Sequence, residues 1–194
     1  SRYYNASLFF ARKIYGEALP LPTLHPTRYL LQSIPFLVEG LPLWFHRLWQ
    51  VLLWVILNGA AAWALARRFV PQDSRIRWAV AAWAFLFFFQ GPVYYHLIVC
   101  VLVVLWMFDA RRFWRSMLVV AAASIWAGIS RINWFPVPGL LAAILYLIEM
   151  PRENRPLLRY LTPPALWTMA GTALAFASQR VYILLSGNPA EQFS

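Results

Sequence analysis

The sequence predicts an all-α protein, a polytopic transmembrane helical bundle with outward-facing juxtamembrane helices and short helical hairpins. Three observations carry this expectation. The 194 residues are 61% hydrophobic and only 12% charged, about half the charged fraction of a soluble domain. Apolar residues come in long blocks, as a bilayer requires, rather than at the spacing of a soluble core. Arginines gather at the ends of those blocks, where membrane proteins place their topological anchors. The formal charge of +10 therefore reads as anchoring, and no nucleic-acid partner is expected, since that would need a basic patch on an exposed face. Cys100, the single cysteine, lies in an apolar run. It excludes an intrachain disulfide or a cysteine metal cluster and reads as a packed thiol.

Residues 1–47 form the predicted juxtamembrane segment. From Tyr3 to Tyr15 the apolar residues recur at helical spacing and stop at Gly16, a natural helix end. The proline-rich piece from Pro20 to Pro26 cannot continue a helix, and Pro35 interrupts the next apolar stretch. Two short interfacial helices joined by an extended loop fit this pattern.

The predicted bundle covers 48–185. Residues 48–66 make the first span, followed by Arg67, Arg68, Arg75 and Arg77. Such a basic loop is expected on the cytoplasmic side, which puts 1–47 outside. Residues 78–108 carry no formal charge and as one helix would be about 46 Å long, well over the roughly 30 Å apolar core. A hairpin turning at Gln90-Gly91-Pro92 keeps both flanking arginine clusters inside, giving spans at 78–90 and 92–108. The same logic divides the next block into 116–130 and 134–148, with Arg131 and Asn133 at the outer tip. A last span at 161–185 has Pro163 and Pro164 near its start, where proline is tolerated. Residues 186–194 begin an outer loop. With no initiating Met and a polar stop, the chain reads as a fragment.

No nucleophile–base pair, glycine-rich phosphate loop or metal-ligand spacing is present. His25, His46 and His96 are far apart in the chain, and His96 reads as a solvated interfacial side chain. Asp73, Asp109, Glu149 and Glu153 read as partners of cytoplasmic arginines, while Glu17 and Glu39 face outward without a partner. Asn5-Ala6-Ser7 matches a glycosylation sequon, a pattern common by chance. The outer side carries more basic residues than the positive-inside bias allows close to span ends. Arg28, Arg131 and Arg180 are accordingly candidates to hold a phosphate, for which guanidinium forks are suited. The alternative is that they snorkel to headgroups. Tyr29, Trp134 and His96 are candidates to contact a sugar or lipid.

In order, these features resemble the GT-C superfamily of polytopic membrane glycosyltransferases, which includes protein mannosyltransferases and aminoarabinose transferases. The stretches that carry the likeness are "RYYNASLFFARKIYG", "HPTRYLLQSIPFL", "RLWQVLLWVILNGAAAWALARRF" and "WAGISRINWFPVPGLLAAILYLIE". The chain would correspond to an N-terminal half. The resemblance implies an integral, multi-pass protein of a bacterial plasma membrane. It would transfer a sugar from a polyprenyl-phosphate donor on the outer face, in some members with a divalent cation. It places the acidic general base upstream of Ser1, because Ser1-Arg2 stand where the family's acidic residue would precede the first helix. Arg28 and Arg131 would hold the donor phosphate. A non-catalytic accessory subunit and a transporter fragment are the alternatives. The near absence of ionisable residues within the spans argues against the transporter.

Overall fold

The computed structural model describes residues 2–70, 74–189 and 191, and all regular structure among them is helical. Asp73 and the last three residues lie outside the described set. The segment before the bundle folds as α1 (Arg2–Ser7), α2 (Ala11–Tyr15) and α3 (Pro26–Ser33). The helix expected over Tyr3–Tyr15 is broken by a 3-10 turn at Leu8–Phe10. Ser7 accounts for the break. Its hydroxyl donates to the Tyr4 carbonyl at 2.7 Å and pairs with the Tyr15 hydroxyl at 2.8 Å, a back-bond that tightens a helical turn. The sequon's serine is thus buried and engaged. Gly16 ends α2 in the left-handed conformation at φ 79°, and a Cβ there would meet nothing. Gly16→Ala is expected to cost about 1 kcal/mol from backbone strain alone, read as a small fall in the thermal unfolding midpoint.

Six helices follow: α4 (Leu43–Phe69), α5 (Ser74–Phe89), α6 (Tyr95–Met107), α7 (Phe113–Ser130), α8 (Val137–Glu149) and α9 (Leu157–Leu185). Each reverses direction on the one before, so that α3 caps one end and the arginine-rich turns close the other. The α5–α6 turn passes through Gly91 at φ 83°. Among the described residues, Leu43–Phe69, Phe113–Ser130 and Ile132–Glu149 are long and apolar enough to cross a membrane, and Tyr95–Met107 is a shorter apolar helix. At 13 residues, α6 spans about 20 Å, less than an apolar core, so its neighbours shelter its ends. The whole is an all-α bundle of the polytopic membrane type.

Packing is tightest where α7, α8 and α9 meet. Gly128 lies against the backbone of Ala175, Gly139 against Thr168 and Trp167, and Gly171 against Ser124 and Val120. Small residues four apart on parallel helices allow that approach, which is how helices associate when no hydrophobic gain separates lipid from protein. Toward the arginine-rich end an aromatic cluster surrounds the fully buried Trp167, which packs on Phe108, Phe113 and Tyr146. Pro163 and Pro164 lie inside α9, in its second turn rather than at its start. The Thr162 and Thr168 hydroxyls donate to the Leu158 and Pro164 carbonyls nearby. Cys100 is buried and donates to the Ala123 carbonyl at 3.3 Å, the packed thiol expected.

Candidate functional site

The end of the bundle capped by α3 holds the unusual chemistry. Four contacts fix α3 across three helices. Trp49 of α4 donates to the Leu31 carbonyl at 2.9 Å. Gln32 donates to the Tyr95 hydroxyl of α6 at 2.6 Å. The Thr27 and Ser130 hydroxyls hydrogen-bond each other, joining α3 to the end of α7. Arg28 lies 5.9 Å from the centre of the Tyr95 ring. The loop before α3 is strapped to the end of α9. Leu21 N donates to the Ser186 carbonyl at 2.8 Å, the Tyr182 hydroxyl to the Pro22 carbonyl at 2.6 Å, and Asn188 Nδ2 to the Leu21 carbonyl at 2.7 Å. That loop ends at His25, left-handed at φ 53° and ψ 49°, which turns the chain into Pro26 at the start of α3.

Two cavities open here. The larger, about 540 Å³, is a groove between α3, α4 and the α5–α6 turn. Arg2, Arg28 and Arg47 line it together with Gln32 and Gln50, and Val51 and Trp54 of α4 extend it along the apolar flank of the bundle. Trp54 is stacked on Phe89 with ring centres 4.9 Å apart. The smaller cavity, about 210 Å³, is lined by Thr23, His25, Ser130, Arg131, Asn133, Gln179 and Tyr182. Tyr94 stands between them. It lines the groove, while the Arg131 guanidinium sits 4.8 Å over its ring and His25 packs 5.4 Å away.

The electrostatics are one-sided. The ion pairs among the described residues join Lys13 to Glu39, Arg68 to Glu149, and Arg112 and Arg115 to Asp109. None involves Arg2, Arg28, Arg47 or Arg131, and neither cavity is lined by a carboxylate. Glu39, expected to be unpartnered, is instead 3.0 Å from Lys13. The acidic residues at the opposite end, Asp109 and Glu149, do pair with arginines as expected; Asp73 is outside the described residues. The cavity lined by Asp109 and Glu149 at that end therefore contains its own counter-charges, and among the described residues the two cavities at the α3 end are lined by none. Burial, and after it Arg131 and Arg28, hold the His25 pKa below the ordinary histidine value.

Of the residues singled out from sequence, Arg28, Arg131 and His96 come together here. His96 is not the solvated side chain expected. It is fully buried, because α6 begins at Tyr95 and α3 covers its first turn. Nor are the histidines scattered, since the His25 and His96 rings lie 5.4 Å apart. His46, by contrast, packs among Tyr3 and Phe36. Arg180 is exposed on α9 over the Phe176 ring at 5.0 Å and lines neither cavity. Tyr29 is half-buried on α3 and lines neither as well. Trp134 packs on the hydrophobic core. Arg2 and Arg47 were missed as site residues. Arg47 stands one residue before the predicted first span, whereas α4 begins at Leu43 and carries it.

A divalent cation does not fit this lining, which is cationic. No group of three or more His, Cys, Asp or Glu converges among the described residues. No protein-family model matches the chain, and no curated protein or solved structure matches it either.

Proposed function

We propose that this chain is the lipid-phosphate-binding part of a polytopic membrane glycosyltransferase of the GT-C kind. In this reading the α3 end faces the outer side of a bacterial plasma membrane, and the donor is a sugar on a polyprenyl phosphate. The observation that carries it is the groove, where three arginines with no acidic partner among the described residues meet the apolar side chains of Val51 and Trp54. A ligand with an anionic head and an apolar tail satisfies both halves at once. Guanidinium forks match phosphate oxygens bidentately, and Arg28 and Arg47, on different helices, can hold one phosphate from two sides. Their charge would also stabilise the phosphate as the sugar leaves it. Arg131, behind Tyr94, adds to the field. Arg180 has no part in the groove.

The described residues of the groove supply binding and no carboxylate base. The carboxylate that such a transfer needs is assigned, in this reading, to an acidic residue upstream of Ser1. The lack of a carboxylate in the described lining favours a second reading, a non-catalytic subunit that presents the same lipid to a partner enzyme.

The test is binding of a polyprenyl phosphate to the protein in phosphatidylcholine nanodiscs. A hydrogen bond to a charged group contributes about 1.5–3 kcal/mol, so Arg28→Gln and Arg47→Gln are each expected to weaken binding about tenfold or more. Arg180→Gln is expected to leave it unchanged. Equal affinity for all three variants and the parent would sink the assignment. Sugar release from a labelled donor then separates an enzyme from a carrier subunit.

A further inference from the structure

The smaller cavity has a composition that lipid-phosphate binding in the groove does not explain. His25 and Arg131 line it, while Arg28 of α3, which lines the groove, and His96 at the start of α6 lie next to His25. His25 and His96 are in ring contact, and His25 contacts Tyr94, over which Arg131 lies. Two of these four groups line the cavity, and no carboxylate is among the lining residues described. Both ring nitrogens of His96 are buried without a hydrogen-bond partner, and so are His25 Nδ1 and Arg28 Nε. Buried polar atoms are normally satisfied, and an imidazole with neither nitrogen engaged is an incomplete arrangement. His25 is also the N-cap of α3, and His96 lies in the first turn of α6, so the positive ends of two helix dipoles meet at this point.

We propose that the smaller cavity is a second anion site, in which His25, backed by His96, and Arg131 hold a phosphate or carboxylate group distinct from the one bound in the groove. A metal cation is disfavoured there by the Arg131 guanidinium, and a neutral sugar would leave its charge uncompensated. The inference rests on the reading of the groove as the lipid-phosphate site, and it narrows the ligand. The bound species together carry two anionic groups, one on each side of Tyr94. The second belongs either to the lipid, as a diphosphate, or to a separate acidic molecule. His25 is faced by Arg28 from α3, Tyr94 and His96 from the start of α6, Arg131 from the end of α7 and Tyr182 from α9. An anion entering among them offsets the two arginines and lets His25 accept a proton.

The probe is inorganic sulfate, whose charge is constant across the histidine range, titrated calorimetrically into the protein in phosphatidylcholine nanodiscs. Sulfate affinity is expected to rise about tenfold as pH falls from about 8 to 5.5, and His25→Gln is expected to flatten that dependence. Arg131→Gln should weaken sulfate about tenfold, and His96→Gln, through its contact with His25, should weaken it less, whereas Arg180→Gln, at a residue that lines neither cavity, should leave it unchanged. Arg131 is only half-buried, so its variant tests the site even if His96→Gln does not fold. If polyprenyl diphosphate binds tenfold tighter than the monophosphate and Arg131→Gln removes the difference, the second anion is the lipid's own. If the two lipids bind alike and sulfate binds alongside them, it comes from a separate molecule. Sulfate binding that is absent, or is indifferent to pH and to both His25→Gln and Arg131→Gln, overturns the proposal. Loss of lipid binding with sulfate binding intact would overturn the reading of the groove instead.

Discussion

Gly128→Leu is expected to leave no monodisperse, folded protein after extraction into detergent. The Cβ of any side chain at 128 would overlap the Ala175 carbonyl oxygen and the Ser178 Oγ, and would sit 2.6 Å from the Ala175 Cα. Two of those atoms are backbone, so no rotamer change relieves the contact. The helices α7 and α9 would have to separate. That separation also opens the contact of Gly171 with Ser124 and Val120, one turn along the same seam. Overpacking usually costs about 1–3 kcal/mol. Here the whole interface moves, and about 4 kcal/mol or more is expected, a large share of a typical total stability of about 5–15 kcal/mol. Gly128→Ala should already cost about 3 kcal/mol. Gly59→Ala is the control, because its Cβ meets only Phe85 at 3.9 Å; it should be neutral or slightly stabilising, since alanine is the better helix former. Size-exclusion profiles and thermal unfolding of the three variants decide the matter. A Gly128→Leu protein that elutes and melts like the parent would mean that the α7–α9 seam is not packed as described.

That seam was not foreseen from the sequence, although its residues were in plain view. Long apolar blocks with arginines at their ends specify helices and their reversals, and so the fold class could be read directly. Gly91 and the stretch from Arg131 to Pro136 could be read as turns because an uninterrupted helix would have been too long for its membrane. The face that each helix presents to its neighbours was not legible. In a chain this apolar, lipid-facing and protein-facing positions carry the same residue types, and only the small residues Ser124, Gly128, Gly171 and Ala175 mark an interface. The break in the first helix depended on one hydroxyl, that of Ser7, choosing a carbonyl over solvent, a choice that no periodicity reports.

The candidate site was half legible, for a related reason. Excess positive charge near span ends pointed to Arg28 and Arg131, and both line cavities at the α3 end. Arg180 met the same criterion, but its place on α9 turns it toward Phe176. Charge locates a residue along the bundle axis and says nothing of its angle around it. The contact between His25 and His96 spans 71 positions of chain and depends on α3 lying across the start of α6, which is tertiary information. The signal that could have drawn attention to it is the run Tyr94-Tyr95-His96 just after a glycine–proline turn, three ring-bearing polar residues at the mouth of a helix.

The opposite end of the bundle keeps that site in register, and Arg68 is where this is expected to show. Its guanidinium grips Glu149 of α8 with both arms, Nε to Oε1 at 2.5 Å and Nη2 to Oε2 at 2.9 Å, while also donating to the Leu105 and Phe108 carbonyls at 2.6 and 3.1 Å. One side chain of α4 thus satisfies terminal carbonyls of α6 and the carboxylate of α8. Arg68→Met would leave Glu149 and those carbonyls without their donors. Removing one partner of a buried ion pair costs about 3–5 kcal/mol. With the Arg68 side chain 13% and the Glu149 side chain 30% exposed, about 3 kcal/mol is expected. Glu149→Gln should cost about 1 kcal/mol, since an amide oxygen still accepts. The double variant Arg68→Met with Glu149→Met should be more stable than Arg68→Met alone, because no charge is then stranded. Additive losses around that cycle, or a cost under 1 kcal/mol for Arg68→Met, would mean that the pair is a surface contact. The same variant reaches the site. Arg47 and Arg68 are carried by one helix and lie about 31 Å apart along it, and His96 opens the helix whose far end Arg68 holds. Freeing α4 from α6 at one end loosens the spacing of Arg47 from Tyr94 and Tyr95 at the other. Arg68→Met is therefore expected to weaken polyprenyl-phosphate binding several-fold without touching the groove, whereas the double variant, with its apolar contact restored, should recover most of that loss.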